Sequence, residues 1–212
     1  IGGLSARYHS HYVRGMMSDT YVNQTLENIA NGDPMAIYKN GTNWTMAISI
    51  TTNNIRVAFI SFISGVTAGV YTFILALQNG ALLGAFQYFC YQMGVLSASL
   101  RAIWLHGAME IFSIVIAIAA GFVLTGGILF PKTYSRVLSF KVAFREGLSL
   151  FLATLPFFVM AGFIESFITR YYYQMPLWLN LVIILGSLSL ISYYFLIYPF
   201  VKHFESNKLA HE

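Results

Sequence analysis

Three ionisable side chains lie in apolar stretches of the sequence and could carry chemistry. His106 and Glu110 belong to an apolar run over about 101–130, and Glu165 belongs to another over about 146–168. Because a charged group inside hydrocarbon costs several kcal/mol unless it is paired, such groups mark functional sites by default. A spacing of four residues puts His106 and Glu110 on one helix face. If the two runs cross the membrane in opposite directions, all three side chains fall in its outer half.

These side chains admit two interpretations. One imidazole and two carboxylates suit zinc or a non-haem metal, so His106, Glu110 and Glu165 are candidate ligands of a divalent ion. Alternatively, they form a buried polar cluster that holds the helices together, with Arg101 as the counter-charge and no cofactor. The sequence favours the polar cluster, since the His-x-x-x-Glu pair lacks the second histidine of common zinc motifs.

The composition excludes a soluble enzyme. Hydrophobic residues make up 57% of the chain and charged residues only 9%, whereas a soluble domain carries roughly 25% charged residues. The net charge of +4 does not indicate a nucleic-acid partner, because the basic residues are thinly spread apart from one short loop between apolar runs. The single cysteine, Cys90, excludes a disulfide framework and a thiolate metal cluster.

The elements that position these side chains are predicted to be about five transmembrane helices in an all-α bundle. An extramembrane or interfacial segment (1–53) precedes a transmembrane helical domain (54–201) and a polar C-terminal tail (202–212). The second apolar run is short, so it is either a tilted span or a re-entrant arm. The expected spans cover about 54–77, 81–93, 101–130, 146–168 and 177–201.

Glycines indicate where the first two runs turn and pack. Gln78, Asn79 and Gly80 form a turn-like cluster, which predicts a hairpin turn between the two runs. Gly65, Gly69 and Gly84 belong to Gly-x-x-x-Gly patterns that let helix backbones approach closely. Packing inside the fold is the favoured use of these glycines, and homodimerisation is the alternative.

A basic elbow between the third and fourth spans sets the expected orientation. It carries four basic side chains within fourteen residues: Lys132, Arg136, Lys141 and Arg145. Dense basic loops beside spans face the cytoplasm and contact anionic lipids. We therefore expect the elbow and the C-terminus on the cytoplasmic side and residues 5–53 outside.

Several ordered motifs resemble a known family. They are Asn53-Asn54-Ile55-Arg56-Val57-Ala58-Phe59, Gln78-Asn79-Gly80-Ala81-Leu82-Leu83-Gly84-Ala85-Phe86, His106-Gly107-Ala108-Met109-Glu110-Ile111 and Ala161-Gly162-Phe163-Ile164-Glu165-Ser166-Phe167. In this order and spacing they are similar to the stage II sporulation protein M family of polytopic bacterial membrane proteins. The resemblance covers nearly the whole chain and implies an all-helical membrane domain.

The resemblance also implies a location and a role. In spore-forming bacteria the namesake acts as a membrane scaffold in a peptidoglycan-remodelling complex, and many relatives occur in bacteria that do not sporulate. The expectation is a multi-pass, non-enzymatic anchoring component of the bacterial cytoplasmic membrane, with lipids and other envelope or membrane proteins as partners. One alternative is a transporter or channel for a small solute or lipid that uses Glu110 and Glu165 as coupling groups. The other is an intramembrane metal-dependent hydrolase.

Overall fold

The structure, a computed structural model, describes residues 1–8, 10–36 and 41–202, which form helices joined by short turns and contain no strand. Five of its helical segments are long and apolar enough to cross a membrane. The prediction of an all-α, multi-pass helix bundle is therefore confirmed. Most of the expected polar tail, 203–212, lies outside the described residues. The helices are α1 (Gly2–Tyr8), α2 (Ser10–Met17), α3 (Asp19–Ala30), α4 (Asn43–Ile63), α5 (Val70–Gln92), α6 (Leu96–Leu129), α7 (Arg136–Phe163) and α8 (Leu177–Ser192).

The first three helices form a layer that packs against α5 and is not a detached tail. Gly2 lies so close to the backbone of Ala81 that a side chain at position 2 would collide with it. A Cβ on Gly84 would lie 3.1 Å from the backbone nitrogen of Gly3. Val13 and Val22 of the layer, together with Met35 after α3, share one apolar core with Phe89 of α5 and Leu105 of α6. Gly84 thus serves helix packing, and its partner is α1.

The reversal between the first two spans lies earlier than the sequence predicts. A 3₁₀ turn over Ser64–Thr67 follows α4, and then Ala68 and Gly69 adopt positive φ values of 54° and 79°. Gln78, Asn79 and Gly80 lie inside the continuous helix α5, so the predicted hairpin turn there is wrong. The amide of Asn79 donates to the carbonyl of Leu75 at 2.8 Å, which satisfies it within the helix. The second span is accordingly a full helix, not a re-entrant arm.

The first span also begins earlier, at Asn43, because tertiary contacts carry its polar first turns. The hydroxyl of Thr42 caps α4 by accepting from the backbone of Thr45. The ring of Trp44 packs edge-on against Phe167, with ring centroids 5.0 Å apart. The stretch from Trp44 to Ile50, which belongs to the segment 1–53 expected to be extramembrane or interfacial, is therefore part of α4.

The glycine of the first reversal packs on α6. A Cβ on Gly65 would collide with the backbone carbonyl of Gly121, and the Gly65 carbonyl accepts from the hydroxyl of Thr125 at 2.9 Å. A Cβ on Gly69 would lie 3.1 Å from the side chain of Thr125. The two glycines do not share one helix face, because Gly69 lies in the turn. Both nevertheless approach α6.

The centre of the bundle is the antiparallel pair α6 and α7, which α4 crosses. Phe62, Leu124 and Phe158 are completely buried where the three helices meet. The fourth span begins earlier than predicted, because α7 starts at Arg136 and contains three of the four basic residues of the expected elbow. All four basic side chains are exposed. The last helix, α8, contacts α6 and leaves most of its apolar surface exposed, as expected for a helix against lipid.

Candidate metal and ligand site

His106 lies in the first third of α6 and is held by a threonine of the neighbouring helix. Its Nδ1 atom is 3.1 Å from Thr169 Oγ1. That hydroxyl donates its own proton to the carbonyl of Ile164 at 3.3 Å. Thr169 Oγ1 thus bridges the His106 ring and the Ile164 carbonyl, and it orients the imidazole so that Nε2 faces Glu165. This Nε2 atom lies 3.8 Å from Glu165 Oε2.

Glu110 lies one turn further along α6, and an amide of α4 orients it. The side-chain nitrogen of Asn54 donates to Glu110 Oε1 at 2.5 Å. This bond fixes the direction of the carboxylate and joins α4 to α6 across 56 residues of sequence. Glu110 and Asn54 are both half-buried.

Glu165 reaches the same point from a widened turn at the end of α7. The turn over Ile164–Ile168 has π-helical hydrogen bonding, and such turns occur frequently at functional sites. It brings both Glu165 and Thr169 towards α6. One ligand atom each of His106, Glu110 and Glu165 can be chosen so that all lie within 4.8 Å of one another.

Arg101 does not join this group, and the prediction that it is the counter-charge is wrong. Its Nη2 atom donates to the carbonyls of Tyr172 and Met175, at 2.9 and 2.7 Å. These carbonyls follow the last turn of the α7 segment, where a helix end leaves backbone acceptors unsatisfied. Arg101 therefore ties the connection before α8 to α6.

A cavity of about 530 Å³ adjoins the three candidate ligands. Its polar wall includes two asparagines, Asn53 of α4 and Asn79 of α5. The N-terminal layer lines it with Met16, Met17 and Tyr21, and its remaining lining is apolar: Leu82, Leu83, Phe86 and Ile103. The sequence motifs contain both asparagines, but nothing in their spacing predicts that they share a cavity.

Tyr21 supplies a neutral hydroxyl to this cavity. Burial, followed by the neighbouring Cys90 and Glu165, raises the pKa of Tyr21 to about 12. The phenol therefore stays protonated at physiological pH and can donate a hydrogen bond. Its position in α3 makes the N-terminal layer part of the site.

Comparison with known proteins identifies the family. A family model described as stage II sporulation protein M matches residues 1–170. The chain belongs to this family. No curated protein and no solved structure gives a match.

The part of the chain that matches the SpoIIM family runs from α1 to the end of the α7 segment. It therefore contains His106, Glu110, Glu165 and Thr169, together with every residue that lines the cavity. The last helix, α8, follows the matched range. The site is thus built entirely within the SpoIIM region of this membrane protein.

Proposed function

We propose that this protein is a membrane-embedded metal-binding protein in which His106, Glu110 and Glu165 hold one divalent ion. The proposal rests on the observation that one ligand atom from each of the three residues lies within 4.8 Å of the others, beside a cavity. A polar cluster that only holds helices together needs no adjoining cavity, whereas a metal site that also binds a small molecule needs one.

The direction of the histidine supports a cation. The Nε2 atom of His106 lies 3.8 Å from a carboxylate oxygen of Glu165, so both atoms can bind one ion. Histidine ligands of metals commonly have their other ring nitrogen hydrogen-bonded to the protein, and the Nδ1 atom of His106 is 3.1 Å from Thr169 Oγ1.

Charge balance supports a divalent ion. Two carboxylates in a poorly solvated environment cannot both remain charged cheaply, because burial removes their hydration. One divalent cation bound by Glu110, Glu165 and neutral His106 gives a net charge of zero. Arg101, the nearest basic residue in the sequence before His106, is engaged with backbone carbonyls.

The sequence that follows Glu110 supports a site near a membrane boundary, where an ion can reach it. The stretch 111–130 contains no ionisable side chain, and at about 1.5 Å per residue it spans about 30 Å of hydrocarbon by itself. His106 and Glu110 precede this stretch, and the N-terminal layer covers them. An ion therefore need not cross the hydrocarbon to bind.

Zinc titration of the purified, metal-free protein in detergent tests this proposal. Calorimetry is expected to give one Zn²⁺ per chain, and Glu165→Gln is expected to weaken binding at least about 100-fold because a charged ligand is lost. Glu146→Gln is the matched control, since Glu146 is an exposed glutamate of the same helix. Equal zinc affinity of the wild type and Glu165→Gln would overturn the proposal.

Anchoring of an envelope protein is a second candidate, and it rests on a separate surface. Leu4 and Tyr8 lie four residues apart on α1 and are exposed, although α1 is outside the membrane-length helices. This exposed apolar pair is the surface that such a contact would use. This role is compatible with a metal site.

Photo-crosslinking in bacterial membranes tests the anchoring role. A benzoylphenylalanine at Tyr8 is expected to give one discrete adduct, whereas the same group at Gln24, an exposed polar position of α3, should give none. An adduct of twice the chain mass would identify a homodimer. Equal, diffuse labelling at both positions would contradict anchoring through α1.

A further inference from the structure

We infer that the cavity beside the metal is a binding site for a small molecule with a metal-binding carbonyl or carboxylate oxygen and an apolar body. The inference rests on the proposed metal site and extends it from the ion to its ligand. It follows from the number of protein ligands, the size of the cavity, and the polar and apolar parts of its lining.

The number of protein ligands leaves a coordination position free for another molecule. Structural zinc sites are closed by four protein ligands, whereas sites that act on substrates have three and keep one position for water or substrate. His106, Glu110 and Glu165 supply three. All three also line the cavity, so the remaining position is available from that side.

The cavity is much larger than a metal-bound water requires. A water molecule takes up about 30 Å³ in the liquid, while this cavity measures about 530 Å³. Small-molecule sites typically measure about 300–1,000 Å³. The volume therefore fits an organic ligand of modest size.

The polar wall can orient such a ligand. Asn79 gives its amide nitrogen to Leu75, so its amide oxygen is the group that can accept from a ligand. Asn53 and the protonated hydroxyl of Tyr21 add further hydrogen-bonding groups. A few polar groups in a mainly apolar wall are typical of sites that fix one orientation of a ligand.

The apolar wall can hold the body of the ligand. Leu82, Leu83 and Phe86 follow one another along α5, and Ile103 faces them from α6. Met16 and Met17 add to this wall from α2, and unbranched methionine side chains adapt to different shapes. The ligand class is accordingly an acyl compound with a short apolar chain or ring.

Cobalt-substituted protein and benzohydroxamate test this inference. Co²⁺ in the site gives a visible absorption spectrum, and the hydroxamate oxygens bind the metal while its ring mimics the apolar body. Millimolar benzohydroxamate is expected to change the cobalt spectrum saturably. Leu83→Trp enlarges a side chain of the cavity lining that is not a metal ligand. This variant should keep the cobalt spectrum and weaken the benzohydroxamate response at least tenfold.

Control variants separate the possible failures. Leu188→Trp, at an exposed position of α8, should behave like the wild type. Asn79→Leu should keep the cobalt spectrum and weaken the benzohydroxamate response, which keeps the test valid if Leu83→Trp does not fold. A cobalt spectrum that benzohydroxamate leaves unchanged overturns the ligand site alone. A protein that binds no cobalt overturns both the ligand site and the metal site.

Discussion

Thr169 shows how one hydroxyl can decide the chemistry of the site. It is completely buried and lies within hydrogen-bonding distance of both the His106 ring and the carbonyl of Ile164. This arrangement sets which imidazole nitrogen faces Glu165. An apolar residue of the same shape would remove the hydrogen bond that orients the ring.

Thr169→Val is therefore expected to weaken zinc binding by about 10- to 100-fold, the usual cost of losing a group that orients a metal ligand. Thr154→Val is the matched control, because Thr154 is also completely buried and donates to a backbone carbonyl, that of Phe151. Zinc titration of both purified variants is the measurement. Similar affinities in the two variants would show that Thr169 does not orient the metal ligand.

The candidate ligands, but not the residues around them, could be predicted from the sequence. A spacing of four residues relates His106 to Glu110, and opposed spans bring Glu165 to a similar depth. The partner Thr169 depends on a π-helical turn that shifts the helix register, which no periodicity reveals. Arg101 was wrongly predicted to pair with the carboxylates because the carbonyls after α7 compete for it.

At the scale of helices, α5 shows why a turn-like sequence need not form a turn. Asn79 and Gly80 have the composition of a reversal, but Asn79 bonds within the helix, and the chain has already reversed at Ala68 and Gly69. Of these two places, only the earlier one has positive φ angles. The packing of the residues that follow Gly80 against α1 outweighs the local turn propensity.

Two glycine-to-alanine substitutions distinguish the two positions. A Cβ at Gly80 meets nothing within 4 Å, so Gly80→Ala should stabilise α5 by about 0.5–1 kcal/mol through reduced chain entropy. Gly65→Ala should destabilise the protein by about 1–3 kcal/mol, because its Cβ would collide with the Gly121 carbonyl. Thermal unfolding in one detergent compares them. Destabilisation by Gly80→Ala would indicate a turn at that position after all.

At the scale of the whole molecule, the number of spans could be predicted, whereas the bounds of the first two and the start of the fourth could not. Five apolar stretches were long enough to recognise, and five helical segments correspond to them. The first turns of α4 are too polar to read as a span. They are helical because Thr42 caps them and Trp44 packs on Phe167.

The orientation of the bundle remains a prediction from the basic elbow. With Cys90 replaced by alanine, Tyr134→Cys in the elbow and Tyr173→Cys before α8 provide exposed labelling positions at opposite ends of α7. A membrane-impermeant maleimide added to intact cells is expected to label Tyr173→Cys and not Tyr134→Cys. Labelling of Tyr134→Cys alone would invert the orientation.

The central claim is that one imidazole and two carboxylates hold a metal ion inside this membrane protein. X-ray absorption at the zinc edge of the loaded protein tests it most directly, because it reports the ligand atoms themselves. The expected spectrum shows nitrogen and oxygen ligands at about 2.0–2.2 Å with the scattering of one imidazole ring, and His106→Ala should remove the imidazole contribution. Zinc that shows no imidazole in the wild type, or the same imidazole signal in His106→Ala, would contradict the claim.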